Sequence, residues 1–196
     1  MTYRSLLPGL VALLALPVTA LAHPGHGAAG FTAGLAHPWL GADHLLAMIA
    51  VGAWALTLGG RARWLLPATF VAGMAGGAAL GAGYGAAALA EWGIAGSLVF
   101  FGVCLAAGRR LPLGMAVVIT ALFAVAHGHA HGAEAGGGTA WLAFGAGMVL
   151  ATAVLHALGV LAGIAAQRLP AAGIGLRLAG GATAAFGAVA LVGLLA

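Results

Sequence analysis

Charge is almost absent from this chain, and that limits what it can fold into. Its 196 residues hold seven arginines, no lysine and three acids, so 5% of positions are charged against 63% hydrophobic, with a mean hydropathy of +1.13. A water-soluble domain of this length needs a far more polar surface. The chain is therefore expected to be an all-α integral membrane protein. Its 35 glycines follow no collagen-like period. They sit inside apolar runs, as Gly77, Gly81 and Gly85 or Gly159 and Gly163 do, and read as small residues that let membrane helices pack closely.

Hydropathy divides the chain into a leader and about six spans. Residues 1–22 read as a signal peptide, with Arg4, an apolar stretch from Leu6 to Val18, and Ala20-Leu21-Ala22 as the cleavage site. The alternative is an uncleaved first span, which Pro8, Gly9 and Pro17 would make a poor one. Residues 23–36 form a periplasmic segment beginning H-P-G-H-G, in which His23 and His26 either hold a metal loosely or are incidental to a linker. A transmembrane permease domain over 37–196 follows, with span cores near 38–58, 65–88, 93–108, 112–131, 140–165 and 172–195. The third is short enough to suggest a tilt, kink or re-entrant turn. Alternating crossings place Arg61, Arg63, Arg109, Arg110, Arg168 and Arg177 on one side, the cytoplasmic one of a bacterial inner membrane. The mature N-terminus, the three acids and every histidine except His156 then lie at the periplasmic side. Trp39, Trp64, Trp92 and Trp141 fall near span ends, where aromatic belts form. Three spans per half hint at a 3+3 inverted repeat.

Two clusters carry the chemistry. His37-Pro38-Trp39-Leu40-Gly41-Ala42-Asp43-His44 opens the first span, with Pro38 reading as its first helical residue. On one continuous helix His37 and His44 would share a face about 10 Å apart along the axis. His127-Gly-His129-Ala-His131-Gly-Ala-Glu134 ends the fourth span, and steps of four and three put His127, His131 and Glu134 on one face, with His129 pointing away. The ends of these two spans coincide in depth, so His37, Asp43, His44, His127, His131 and Glu134 are expected to converge. Ionisable groups at membrane depth are expensive and mark functional sites. Imidazole with carboxylate and no thiolate suits Ni, Co, Zn, Cu or Fe as the dication. The one cysteine, Cys104, excludes an internal disulfide or a thiolate cluster. Met48, a turn below His44, is either a weak thioether ligand or a core residue. His156, alone in the fifth span, is an inner metal station, a proton acceptor, or a ring tied to Thr152. Glu91 reads as an ordinary loop residue.

These two stretches resemble the signatures of the HupE/UreJ family of nickel permeases: a histidine, five residues and Asp-His on the first helix, and Phe-His-Gly-x-[Ala/Val]-His-Gly-x-Glu on the fourth. The likeness covers nearly the whole chain and departs where Ala126 replaces the family's phenylalanine. It implies uptake of nickel from the periplasm by a secondary permease without a resident cofactor, supplying chaperones of hydrogenase or urease maturation. It also implies that His37, Asp43, His44, His127, His131 and Glu134 are essential, and says nothing of His129.

Other classes fit less well. The pI of 10.7 rests on scattered arginines, so a nucleic-acid partner is not expected. Without lysine there is no P-loop, which rules out a nucleotide-driven pump of that type. The spacing of His127 and His131 is that of a zincin helix, but Gly128 stands where the glutamate base belongs, and no histidine lies near Ser97 in sequence. Glu134 could serve as base on a metal-bound water, but nothing supplies a substrate groove, so an intramembrane metal-dependent enzyme stays the lesser alternative and a non-enzyme is expected. Paired histidines on facing spans leave a haem-bearing electron carrier open. Small-residue faces allow a homo-oligomer, and cobalt or zinc would suit the ligands nearly as well as nickel.

Overall fold

The computed structural model describes residues 30–84, 88–135, 140–168 and 171–196, which are helical apart from short links, with no strand among them. Seven helices run in order: α1 (Phe31–Leu40), α2 (Ala42–Leu58), α3 (Ala62–Tyr84), α4 (Ala88–Ala107), α5 (Leu113–Ala135), α6 (Ala140–Arg168) and α7 (Ala172–Gly193). The last five are each long and apolar enough to cross a membrane, and α1 with α2 reaches that length and apolarity only as a bent pair, the form of a broken span or a re-entrant loop. The chain is a multi-pass membrane protein. The expected signal segment 1–22 and the histidines His23 and His26 lie outside the described residues.

Three expectations are corrected. The stretch from His37 to Trp54 is not one helix: α1 and α2 meet at 82°. Gly41 at the joint is extended, with φ −93° and ψ 115°. A methyl group on it would meet Asp43 Oδ1 at 2.8 Å and His44 Nδ1 at 3.1 Å, so both side chains fold back over the break. Pro38 lies inside α1 rather than at a helix start. It cannot donate to the Gly34 carbonyl, which weakens the last turn before the bend. The segment expected to precede the first span thus ends in α1. The third span, expected to be short, is a regular helix of 20 residues.

With no hydrophobic drive between helices in lipid, close backbone contact holds the bundle together. Gly128 and Gly132 of α5 lie against the carbonyls of Met74 and Ala78 on α3, which makes that pair parallel. Gly159 of α6 lies against the Ile49 carbonyl of α2 and Gly163, one turn on, against Leu56, a second parallel pair in which Gly52 meets the His156 carbonyl and which α1 extends through Gly34 and Phe144. Gly102 of α4 and Gly180 of α7 face one another in an antiparallel third. Between the pairs lie Met48, Trp54, Leu66, Phe70 and Phe101, all fully buried. Met48 belongs to this core. The Trp54 indole N–H donates to the Arg109 carbonyl at 3.0 Å, fastening α2 to the arginine-bearing link after α4.

Trp39, Trp64 and Trp92 stand exposed close to helix ends, as belt residues would. Arg63 lies over the Trp64 ring at 5.6 Å.

Candidate metal site

The 82° break decides the geometry of the site. It puts His37 at the end of α1 and Asp43 and His44 at the start of α2, where they face the last turns of α5. His37 Nε2 is 3.3 Å from Glu134 Oε2, and His131 Nδ1 is 3.6 Å from the same oxygen. His37, His131 and Glu134 each offer a donor atom within 4.8 Å of the others, as three ligands of one ion would. Glu134 is exposed and His131 is 2% exposed, so the trio runs from open surface into the protein.

His44 sits beside this trio, its ring 4.2 Å from that of His131 and 6.1 Å from that of His37. Asp43 orients it. One oxygen of Asp43 accepts from the His44 backbone N–H at 2.8 Å and from Nδ1–H at 2.6 Å. An ionised carboxylate only accepts, so Nδ1 carries the proton and Nε2 keeps its lone pair free. This carboxylate–histidine pairing is how metal sites fix a ligand's tautomer and raise its basicity.

His127 lies one turn deeper. Its ring is 5.3 Å from that of His44, and its Nδ1–H donates to the Phe123 carbonyl at 3.0 Å, which again leaves Nε2 bare. His37, His131, His44 and His127 therefore form a continuous row of rings from the surface into the core. Beyond His127 stands Phe70, 5.2 Å away, and beyond that His156, whose ring is 4.9 Å from Phe70. The sequence offered a bond to Thr152 as one account of His156. That bond exists, from Nδ1–H to the Thr152 carbonyl at 2.7 Å, yet it occupies one nitrogen only. His44, His127 and His156 each bury an Nε2 with no hydrogen-bond partner among the described residues, and His131 buries both nitrogens so. Unpaired buried ring nitrogens are costly, and a dication would satisfy the bare nitrogen of each ring. His129 is not in the row of rings.

Glu91 is the residue that the sequence reading missed. It lies in the first turn of α4, not in a loop, and lines a small cavity of about 60 Å³ together with Asp43, Ile94, Leu98 and Ala190. Its place beside Asp43 comes from α4 packing between α2 and α7, which no local sequence signal announces. On the other flank a cleft of about 240 Å³ between α3, α5 and α6 reaches His131, walled by Met74, Trp141, Phe144 and Met148.

The zincin comparison fails on packing. Gly128, where a catalytic glutamate would be needed, has the Met74 carbonyl against its Cα and no room for a side chain. The Ser97 hydroxyl donates to the Ile94 carbonyl at 2.6 Å, an ordinary helical back-bond.

A family model described as "HupE / UreJ protein" matches residues 11–190. The chain is 44% identical over 184 residues to "Protein HupE" of Rhizobium leguminosarum bv. viciae, an alignment covering 93% of this chain and 95% of that protein. No solved structure matches.

Proposed function

Because the chain belongs to the HupE/UreJ family of metal permeases, we propose that it carries a divalent transition metal, foremost Ni²⁺, from periplasm to cytoplasm across the bacterial inner membrane. The observation that carries this reading is the convergence of His37, His131 and Glu134 within 4.8 Å at the open end of a row of buried imidazoles. Glu134 and His37 capture the hydrated ion. His131 and His44 replace part of its water, with Asp43 holding His44 in its ligating tautomer, and His127 receives it deeper. Neutral imidazole with carboxylate serves Co²⁺ or Zn²⁺ by the same design.

The arginines on the links opposite this site support a cytoplasmic assignment for that end, and hence a periplasmic N-terminus and metal entrance. The helix pairing supports an inverted repeat. Exchanging α1–α4 for α5–α7 turns the α3/α5 pair into the pair of α6 with α1 and α2, and returns α4/α7 to itself, antiparallel as an in-plane axis requires. An inside-negative potential contributes about 2.3 kcal/mol per charge for each 100 mV, so roughly 4.6 kcal/mol for a dication. That sustains about a thousandfold concentration ratio without ATP. We read the protein as a carrier without a catalytic step, handing nickel to the chaperones of hydrogenase or urease.

The test is uptake of radioactive nickel into cells lacking their own nickel transporters, with cobalt and zinc as competitors. Uptake by the intact protein, lost in His37→Ala, His131→Ala and Glu134→Ala at matched expression and resistant to excess zinc, is the expected result. Absence of uptake of any metal by well-expressed intact protein would refute the reading.

A further inference from the structure

His156 is 1% exposed, and its Nε2 has no hydrogen-bond partner among the described residues. A carbonyl can only accept, so the bond to Thr152 proves that Nδ1 holds the proton and that Nε2 presents a lone pair. His127 is built identically, with its Nδ1–H on the Phe123 carbonyl one turn back. Both rings pack against Phe70, at 5.2 and 4.9 Å from it. We propose that His156 is a second, inner metal station, reached from His127 when the Phe70 side chain moves aside. This inference rests on the permease reading and specifies where the ion goes after the outer site.

The surroundings favour a metal over a proton. A relay histidine needs a second group to pass its proton to, and the three acids of the chain, Asp43, Glu91 and Glu134, all belong to the outer end. The one hydroxyl beside His156 on its own helix, that of Thr152, is directed to Met74 Sδ at 3.4 Å. A dication needs only the lone pair and the waters it still carries. One imidazole, without the carboxylates of the outer site, binds weakly, as a transit station must if the ion is to leave. The supports differ too: Gly52 and Gly159 lock the His156 turn to α2, whereas Phe70 and His127 sit on the α3/α5 pair. The step past Phe70 therefore crosses from one helix pair to another.

The experiment uses the purified full chain in liposomes under an inside-negative potential, with Ni²⁺ and Cd²⁺ entry read by an enclosed chelating dye. His156→Asn can keep the hydrogen bond to Thr152 but lacks the Nε2 donor. Its nickel entry is expected to fall about tenfold or more, while tight nickel binding to the outer His37, His131 and Glu134 site of the detergent-solubilised protein is kept and a weaker second equivalent is lost. His156→Cys offers a thiolate, and its entry ratio should move about tenfold toward cadmium. A purely structural histidine would leave His156→Asn near the intact protein and the ratio in His156→Cys unmoved, and either result overturns the inner station alone. Intact protein that passes no nickel removes the permease reading itself. If neither variant folds, nickel-soaked crystals of the intact protein decide by anomalous scattering. A peak at bonding distance from His156 Nε2 is expected, and its absence overturns the proposal.

Discussion

Asp43 and His44 are chain neighbours with separate tasks. His44 offers a lone pair to the site, while Asp43 spends its oxygen on the His44 backbone N–H and Nδ1–H. Asp43→Asn should therefore leave the helices intact and weaken nickel binding by about 10–100-fold, because the ring loses the partner that fixes its tautomer; isothermal titration of the purified variant checks this. Glu134→Gln takes the charge and one of the two oxygens from the carboxylate that both His37 and His131 approach, and uptake at limiting nickel is expected to fall at least as far. Both residues stood out in the sequence as rare ionisable groups in apolar runs. Glu91 was equally rare and still read as a loop residue, because its place beside Asp43 depends on which helices pair.

Hydropathy revealed nearly all the spans, since lipid demands continuous apolar helices of fixed length. It could not reveal the joint between α1 and α2. Leu40-Gly41-Ala42 carries no polar side chain to mark a break, and the bend shows only in how Asp43 and His44 fold back over Gly41. At the helix contacts, glycines of identical appearance should respond differently. Gly128→Ala puts a methyl into the Met74 carbonyl and should destabilise the protein by about 1–3 kcal/mol. Gly76→Ala meets nothing within 4 Å and should be neutral or slightly stabilising. Thermal unfolding of both in the same detergent tests the contrast. Trp54→Phe, which loses the bond to the Arg109 carbonyl, should cost about 1 kcal/mol by the same assay.

For the whole molecule, the asymmetry between an arginine end and a histidine–carboxylate end is what the proposed inward direction of transport rests on. If the potential alone drives uptake, clamping it to zero with potassium and an ionophore should reduce steady-state accumulation by about a thousandfold for each 100 mV removed, at any fixed pH. Accumulation that persists at zero potential and follows the pH gradient instead would reveal proton coupling. A row of imidazoles through a membrane carries a hazard of its own. Neutral histidine rings in near contact can pass protons from nitrogen to nitrogen, and such a wire would discharge the gradient that the cell lives on. The phenyl ring of Phe70 has neither an exchangeable hydrogen nor a lone pair, and both His127 and His156 pack against it. On the proposed path an ion can push past a hydrocarbon ring, but a hopping proton finds no foothold there, so a side chain that delays the metal would also insulate the membrane.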